Sequence, residues 1–187
     1  MNRNMTPEEL LIARARDLEE QALAEIYDTY STPVYRYAMR LLGNQDLAEE
    51  CVAESFSRLL QAIDKGGGPK RYLRAYIYRI AHNWVTDQYR KPEYQELELI
   101  SESVADGEND PHQAALIVLE RKELRAALRK LTPDQRQVIM LKYFEGWKNE
   151  EVAQAMDKPV GAIKSLQHRG INALRRNLQI EDQEDRE

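Results

Sequence analysis

The chain has 187 residues, of which 42% are hydrophobic and 32% are charged, and its formal net charge is -5. This length admits one domain or two small ones, and the composition predicts a soluble protein with small, helix-bounded cores. The longest apolar runs fall far short of the roughly 20 residues of a membrane-spanning helix, and the N-terminus lacks a signal peptide's apolar core. We therefore expect a cytoplasmic protein without membrane insertion.

Enzymatic and metal chemistry find little support in the composition. Cys51 is the single cysteine and there are three scattered histidines, so neither an internal disulfide nor a Cys/His zinc site is predicted. Acidic neighbours would raise the pKa of the Cys51 thiol rather than activate it, which favours a small buried helix residue over a catalytic thiol. We predict no catalytic residue, no metal and no cofactor.

The N-terminal part is predicted to be helical, because its apolar residues recur at three- and four-residue spacing. "TPEE" at 6–9 is a capping box: Thr at the cap, Pro at the first helical position and Glu three residues after the cap. The later stretch "GNQDLAEECVAESFSRLLQAI" predicts a helix with an acidic face and an apolar face. The acids are Glu49, Glu50 and Glu54, and the apolar residues are Val52, Phe56, Leu59 and Leu60.

Two interpretations of that acidic face stay open: it docks on a basic partner protein, or its acids simply favour the positive N-terminal end of the helix. The following "DKGGGPKR" is similarly ambiguous. In one interpretation, its three glycines allow the backbone to approach a ligand closely. In the other, which is equally good, they form an unstructured flexible loop.

The stretch 70–91, "KRYLRAYIYRIAHNWVTDQYRK", interleaves six basic residues with five aromatic ones and a single acid, Asp87. Aromatic rings stack on unpaired bases while cations follow the phosphate backbone, so this pattern predicts a single-stranded DNA surface. The alternative is an amphipathic core helix, and we expect some of its residues to be buried for that reason: Tyr76, Ile77, Ile80 and Trp84. Tyr72, Tyr89 and the basic residues remain the candidates for DNA.

Charge divides the chain into unequal parts. The net charge is -1 over 1–90, -6 over 91–115, +6 over 116–178 and -4 over 179–187. The acidic segment has two prolines and a "DGEND" turn cluster, which favours a flexible, solubilising linker over a DNA-repelling cover. We predict an all-α protein with a helical bundle at 1–91, an acidic linker at 92–112, a helix-turn-helix domain at 113–178 and a disordered tail at 179–187.

The basic C-terminal segment is predicted to form four helices, the second of which starts at the capping box "TPDQ" of 132–135. The four apolar stripes are Leu124, Leu128 and Leu131; Val138 and Leu141; Val152 and Met156; and Ile163, Ile171, Leu174 and Leu178. Between the last two helices, Asp157 tolerates the left-handed conformation that a helix-turn-helix requires, and Pro159 suits the first turn of the next helix.

The last helix would then be the recognition helix of a helix-turn-helix. Its apolar stripe packs inward, and its outer face is predicted to reach base edges from its N-terminal half. Those residues are Lys164, Ser165, Gln167, His168 and Arg169. Arg175 and Arg176 lie further along and suit phosphate contacts. The turn makes DNA binding the favoured interpretation over a solvated basic helix of an ordinary bundle.

Taken together, these stretches resemble the extracytoplasmic-function sigma factors of bacterial RNA polymerase over nearly the whole chain. "IYDTYSTPVYRYAMRLLGN" with "AEECVAESF" is similar to the first conserved region of the family. "RAYIYRIAHNWVTDQYRK" is similar to its promoter-melting segment, and the stretch from "LRKLTPDQRQ" to "KSLQHR" to its C-terminal domain. This chain has His82 where a basic residue is common, Lys148 for a capping serine and Asp157 for a turn glycine.

The resemblance implies a non-enzymatic protein that carries core RNA polymerase to promoters, contacting the polymerase clamp and flap. It places the acidic residues Glu49, Glu50 and Glu54 at the clamp. It implies minus-ten contacts from the glycine loop 66–71, with Gly67, Lys70 and Arg71, and from Asn83, Asp87 and Arg90. It implies minus-thirty-five contacts from Lys164, Ser165, His168 and Arg169.

Promoter DNA and core polymerase are therefore the expected partners, and an anti-sigma factor is left open as a further one. Two rival functions remain: a helix-turn-helix regulator that binds duplex DNA without polymerase, and a helical adaptor with no role on nucleic acids. The first leaves the aromatic and acidic stretches unexplained, and the second leaves the basic recognition face unexplained.

Overall fold

The computed structural model describes residues 5–91 and 111–178, and within these ranges the chain is helical, with no strand. The N-terminal helices are α1 (Pro7–Arg16), α2 (Glu20–Leu42), α3 (Gln45–Asp64) and α4 (Leu73–Gln88). The C-terminal helices are α5 (Pro111–Arg129), α6 (Pro133–Ile139), α7 (Asn149–Met156) and α8 (Val160–Asn177). A π-helical segment, Met140–Phe144, extends α6. Most of the predicted linker and the whole predicted tail lie outside the described residues.

Local signals start two of these helices as predicted. Both capping boxes form: the Thr6 side chain accepts from the Glu9 N–H, and that of Thr132 accepts from the Gln135 N–H. Gly43 ends α2 in the left-handed conformation at φ 65°, where residues with a Cβ are strained. A Cβ on Gly43 would also lie 2.6 Å from Nε of Arg125, so α5 passes close to this turn.

The N-terminal helices bury a core between α2, α3 and α4, with α1 packed on α2 and α3. Its largest fully buried side chains are Ile26, Tyr37, Leu41, Leu59, Leu73, Ile77 and Tyr78. The predicted apolar face of α3 is correct except at Leu60, which is 42% exposed. Tyr27 of α2 packs on Phe56 of α3, with ring centroids 4.8 Å apart.

The C-terminal helices pack around α8, which contacts α5, α6 and α7. Leu128, Ile139, Met140, Leu141 and Ile163 are fully buried here. Arg136 is buried as well, and its guanidinium donates to three carbonyls at the end of α5, those of Leu128, Arg129 and Leu131. These bonds supply donors to carbonyls at the end of the helix, where intrahelical donors run out.

The two sets of helices also pack against each other, chiefly α4 against α7 and α2 against α5. The buried apolar side chains form one continuous cluster across this boundary. The two predicted domains are therefore in direct contact in this structure, so that their interface shapes which side chains of α4 reach the surface.

Candidate nucleic-acid and polymerase interface

Helices α7 and α8 form the predicted helix-turn-helix. Asp157 lies between them in the left-handed conformation (φ 53°, ψ 48°), which confirms the prediction for this residue. The Lys158 N–H closes the turn by donating to the Ala153 carbonyl at 3.0 Å. Pro159 is extended and immediately precedes α8, one residue before the position predicted for it. At the other end of α7, the Lys148 N–H donates to the Glu151 carboxylate at 2.7 Å, which satisfies the backbone of the residue that precedes the helix.

The inner face of α8 carries Ile163, Leu166 and Gly170, all buried. A Cβ on Gly170 would lie 3.1 Å from Cγ1 of Ile139, so the absence of a side chain allows α6 and α8 to approach closely. This packing turns the opposite face of α8 outward. Lys164, Ser165, His168 and Arg169 are exposed there and together line an open hollow of about 710 Å³.

Gln167 is half-buried at the side of this face, and its amide Nε2 donates to the hydroxyl of Tyr143 at 2.7 Å. Tyr143 belongs to the π-helical segment and its side chain is otherwise exposed. Sequence reasoning missed Tyr143, because the widened turn that points it toward α8 has no periodic signal. Arg175 and Arg176 are exposed further along α8.

The acidic face of α3 is present at the surface. Glu49 and Glu50 are exposed, and Glu54 is half-buried with an ion pair to Arg58 at 2.7 Å. Gln45 donates to Glu49 at 3.0 Å. The three carboxylates lie along the N-terminal half of the helix, which starts at an Asn44 side chain that accepts from the Leu47 N–H. The face carries a local excess of negative charge.

The glycine loop after α3 is an ordered turn rather than an unstructured loop. Gly66 and Gly68 have φ values of 72° and 80°, and the N–H groups of Gly66 and Gly67 donate to carbonyls of the last turn of α3. The glycines therefore end α3 with a reversal that residues bearing a Cβ would resist. Lys70 and Gly67 are exposed on the loop.

Arg71, the last predicted DNA residue of the loop, is bound within the protein. Its Nε donates to Oε1 of Glu9 at 2.7 Å, and about half of its side chain remains exposed. Tyr72, which follows, is 46% exposed and has its backbone in the left-handed conformation. Both residues therefore lie where the end of the loop meets α1.

On α4, the predicted core residues Ile77 and Trp84 are buried, and Tyr76 and Ile80 are partly buried against the core. The predicted DNA residues Asn83 and Asp87 are exposed on the other face, and Arg90 is exposed just beyond the end of the helix. Asp87 and Arg90 form an ion pair at 3.4 Å, so the face carries a weakly paired arginine.

Tyr89 corrects one expectation, since it is not available for stacking on a base. Its hydroxyl donates to the Leu41 carbonyl at 2.9 Å, and the guanidinium of Arg136 lies 4.3 Å from its ring centroid. The ring is thus held between α2 and α6. An aromatic residue beside a basic one in sequence can serve packing as well as nucleic-acid binding.

Two further basic residues of α4 are bound by the C-terminal helices. Arg79 donates from Nε to the Ala155 carbonyl at 2.8 Å and from Nη2 to the Gln154 carbonyl at 3.0 Å. The guanidinium of Arg74 lies 4.3 Å from the ring centroid of Trp147. Trp147 is buried and makes an edge-to-face contact with Tyr78, at 5.1 Å between centroids. These residues join α4 to the helix-turn-helix.

Glu145 completes this junction. Its carboxylate accepts from the Tyr78 hydroxyl and pairs with Arg40, each at 2.7 Å, and only 10% of its side chain is exposed. Burial, with the hydrogen bond to Glu145, raises the pKa of Tyr78, so the phenol remains a donor at all relevant pH values. The junction therefore combines a buried aromatic pair with charge-assisted hydrogen bonds.

The titratable groups of the N-terminal core do not resemble catalytic ones. Burial raises the pKa of the Cys51 thiol to about 12, which confirms the interpretation of an inert core residue. Burial and the positive charge of Arg136 lower the pKa of His82 to about 3, and its Nδ1 lies 2.8 Å from the Tyr37 hydroxyl. His82 is therefore neutral and offers no positive charge to DNA.

Within residues 5–91 and 111–178, His, Cys, Asp and Glu side chains form no group that could hold a metal ion. In the same part of the chain, no helix is long and apolar enough to cross a membrane.

The fold and these surfaces define a two-domain helical DNA-binding protein, and the comparisons with known proteins agree. The family model for sigma-70 region 2 matches residues 26–93, and the model for sigma-70 region 4 matches residues 121–174. Among curated relatives, the ECF RNA polymerase sigma factor SigW of Bacillus subtilis is 32% identical over 178 residues, 89% of this chain and 94% of SigW. The chain belongs to the extracytoplasmic-function sigma factors of RNA polymerase.

Other relatives support the same assignment. The ECF sigma factor BldN of Streptomyces coelicolor is 33% identical over 90% of this chain, which spans 64% of the length of BldN. In structure, the chain is similar to CnrH in complex with the cytosolic domain of CnrY, with a TM-score of 0.67 at 22% identity over 92% of this chain and 97% of that chain. Sigma factors are non-enzymatic initiation factors whose domains bind core RNA polymerase and promoter DNA.

Proposed function

We propose that this sigma factor divides promoter recognition between α8, which reads the duplex minus-thirty-five element, and the loop 66–71 with α4, which captures the melted minus-ten element. The observation that carries this proposal is the outward face of α8. Lys164, Ser165, His168 and Arg169 are exposed together behind a left-handed turn at Asp157. An N-terminal half of a recognition helix in this position can enter the major groove.

For the minus-ten element, the exposed face of α4 that carries Asn83, Asp87 and Arg90 is the DNA surface, together with Gly67, Lys70 and Arg71 of the loop. Arg74 and Arg79 do not belong to it in this conformation, because their guanidinium groups contact the C-terminal helices. Extruding a base costs a few kcal/mol, and contacts to the unpaired strand must offset that cost.

The acidic face of α3 is the proposed site for the polymerase clamp, with Glu49, Glu50 and Glu54 meeting a basic surface.

We further propose the domain division described above, with residues 1–91 and 113–178 as the two functional units joined by 92–112, and a cytoplasmic location. An anti-sigma factor is a proposed additional partner. The sigma factor RpoE of Bartonella quintana, which has a similar fold, was solved in complex with the anti-sigma factor NepR.

Charge reversal on α3 tests the proposed docking site. In Glu50→Lys/Glu54→Lys, an attraction across the interface becomes a repulsion, so we expect the affinity for core polymerase to fall by at least about tenfold. The measurement is a titration of labelled protein with core polymerase. The control Glu20→Lys/Asp28→Lys has the same change of net charge at exposed positions of α2 and should bind normally.

Unchanged affinity of the Glu50→Lys/Glu54→Lys variant would show that the docking face lies elsewhere. If the wild-type chain bound promoter duplex tightly but had no affinity for core polymerase, the rival function of a polymerase-independent regulator would be correct.

A further inference from the structure

Helix α1 lies outside the part of the chain that matches the sigma-70 region 2 model, which begins at residue 26. It nevertheless contacts the loop between α3 and α4 at both of its ends. At the first end, Nη2 of Arg16 donates to the Gly66 carbonyl at 3.3 Å. At the second end, Glu9 accepts from Arg71 and Glu8 accepts from the backbone N–H of Leu73.

The contact from Glu8 satisfies a helix end that has no cap of its own. Tyr72 occupies the N-cap position of α4 without a side-chain hydrogen bond, in the left-handed conformation (φ 57°, ψ 51°). That conformation is unfavourable for an aromatic residue and persists only where the surroundings hold it. Oε1 of Glu8 accepts from the Leu73 N–H at 3.0 Å, which supplies the missing cap and places a negative charge at the positive end of α4.

The contact from Glu9 is oriented by the capping box of α1. Oε2 of Glu9 accepts from the Thr6 N–H at 2.9 Å while Oε1 accepts from Arg71, and only 17% of the Glu9 side chain is exposed. The hydrogen bond from the Thr6 backbone, with a smaller contribution from Arg71, lowers the pKa of Glu9. The carboxylate is thus held in one position and presented to the loop.

Between these contacts, α1 and the loop border an open pocket of about 620 Å³, lined by Ile12, Ala13 and Ile63 and by the loop residues Gly66, Lys70 and Arg71, among others. The first part of the loop is fixed by the hydrogen bonds of Gly66 and Gly67 to α3. The second part lines this pocket. Its hydrogen bonds to α1 are two: Glu9 binds the Arg71 side chain, and Glu8 binds the backbone N–H of Leu73, the residue after Tyr72.

We propose that α1 is a positioning element for base capture: Glu8 and Glu9 fix the second half of the glycine loop, and thereby set which unpaired base the loop prefers. This inference rests on the proposed function of that loop. Glu8 and Glu9 need not touch DNA; they act through the backbone at Leu73 and through the side chain of Arg71.

The experiment uses holoenzyme assembled from the full chain and core polymerase. The probes are single-stranded oligonucleotides from the non-template strand of a promoter that this holoenzyme transcribes, with each minus-ten position varied through the four bases. The readout is the ratio of affinities for the preferred and the disfavoured base. A loss of folded protein lowers both affinities and leaves their ratio unchanged, so this ratio separates positioning from a purely structural role.

We expect Glu8→Ala to lower the ratio by about fivefold at the position where the wild type discriminates most, because the loop loses the bond at the Leu73 N–H that positions it, a bond worth about 1 kcal/mol as a helix cap. Glu8→Gln keeps an oxygen acceptor for the Leu73 N–H and should retain the wild-type ratio. Glu20→Ala, at an exposed position of α2, is the matched control and should retain it too. Should Glu8→Ala fail to fold, Glu9→Ala gives the second test, because it leaves the cap of α4 in place.

The outcomes separate the proposed function of the loop from the proposed role of α1. If wild-type holoenzyme shows no base preference on single strands, the proposed function of the loop is wrong. If the wild type discriminates and both Glu8→Ala and Glu9→Ala discriminate equally well, the loop keeps its function and the role assigned to α1 is overturned.

Discussion

Helices α4 and α8 both carry several basic side chains, but their surroundings differ. Helix α4 packs on α2 and α3 and also on α7, so it lies between the two sets of helices. Helix α8 packs on α5, α6 and α7 through one face and presents the other to solvent. As a result, Arg79 of α4 donates to two carbonyls of α7, whereas Lys164 of α8 is exposed.

The histidines of the two helices show the same contrast. His82 of α4 is buried beside Tyr37 and within reach of the positive charge of Arg136. His168 of α8 is exposed, and its Nε2 lies 3.2 Å from the amide of Asn172 on the same helix. The difference teaches that a polar side chain becomes a DNA contact only where the fold leaves it uncommitted. On α4 that condition would confine the proposed DNA surface to one face.

The largest expected effect comes from removing the aromatic group that joins the two sets of helices. Trp147→Ala deletes the buried contact with Tyr78 and Arg74, which should cost about 3–5 kcal/mol. We expect the C-terminal helices to separate from α4, seen as a larger radius of gyration in small-angle X-ray scattering with helical content retained. Trp147→Phe keeps an aromatic ring and should stay closer to the wild type. An unchanged radius for Trp147→Ala would mean that other contacts hold α4 against α7.

A second, smaller effect should follow from the buried histidine. Because the folded-state pKa of His82 is about 3, below its ordinary value of about 6.5, the unfolded chain binds a proton that the folded chain does not. Stability should therefore fall as the pH decreases from 6.5 toward 3, by about 1.4 kcal/mol per pH unit. The expected loss at pH 5 is roughly 2 kcal/mol.

The measurement is urea unfolding at pH 7 and pH 5. His82→Gln can still bond to the Tyr37 hydroxyl but does not titrate, so it should lose less stability than the wild type between these pH values. His168→Gln changes an exposed side chain and should keep the wild-type dependence. Equal pH dependence in the wild type and His82→Gln would show that other groups dominate.

Several features of this structure follow from sequence alone because their causes are local. The capping boxes at Thr6 and Thr132 join residues three positions apart, and the left-handed Asp157 follows from a short turn between two amphipathic helices. Apolar periodicity likewise indicates which face of α8 is buried, since that face packs against its own domain. The family itself was indicated by the resemblance of three motifs in their order along the chain.

Other features depend on contacts between distant residues, which no local pattern encodes. Glu8 caps α4 across 65 positions, and Arg79 reaches α7 across 75 and 76. Tyr89 has the same sequence surroundings as a stacking residue, but Leu41 and Arg136 bind it. The same amino-acid types serve packing or DNA binding, and only the tertiary arrangement decides between the two.

The loss of stability should be larger, by about 1.5 kcal/mol, when an arginine of α4 is replaced than when an arginine of α8 is replaced. Arg79→Ala removes two hydrogen bonds from a charged donor to the carbonyls of α7, and should lower stability by that amount. Arg169→Ala changes an exposed residue of α8 and should stay within about 0.5 kcal/mol of the wild type. The measurement is urea unfolding followed by tryptophan fluorescence. If both variants lost similar amounts of stability, the contacts of Arg79 with α7 would contribute no more than an exposed arginine of α8 does.

The smallest change in protein stability is expected for a substitution at the end of α8. That substitution should change only the affinity for DNA. Arg176 is exposed and lies about three turns beyond Lys164, too far along the helix to share the same base edges. Arg176→Ala should leave stability unchanged, weaken all duplex sequences alike and reduce the slope of log affinity against log salt by roughly one unit.

The matched variant is Arg169→Ala, which should instead cost about 1–3 kcal/mol on the cognate upstream element and relax the preference at one base position. Both are measured as holoenzyme affinities for promoter and scrambled duplexes across a salt series. If Arg169→Ala weakened both duplexes equally while Arg176→Ala erased discrimination, the orientation of α8 in the groove would be the reverse of the one proposed. Because the N-terminal half of α8 follows directly from the turn at Asp157, that result would also require a different role for the turn.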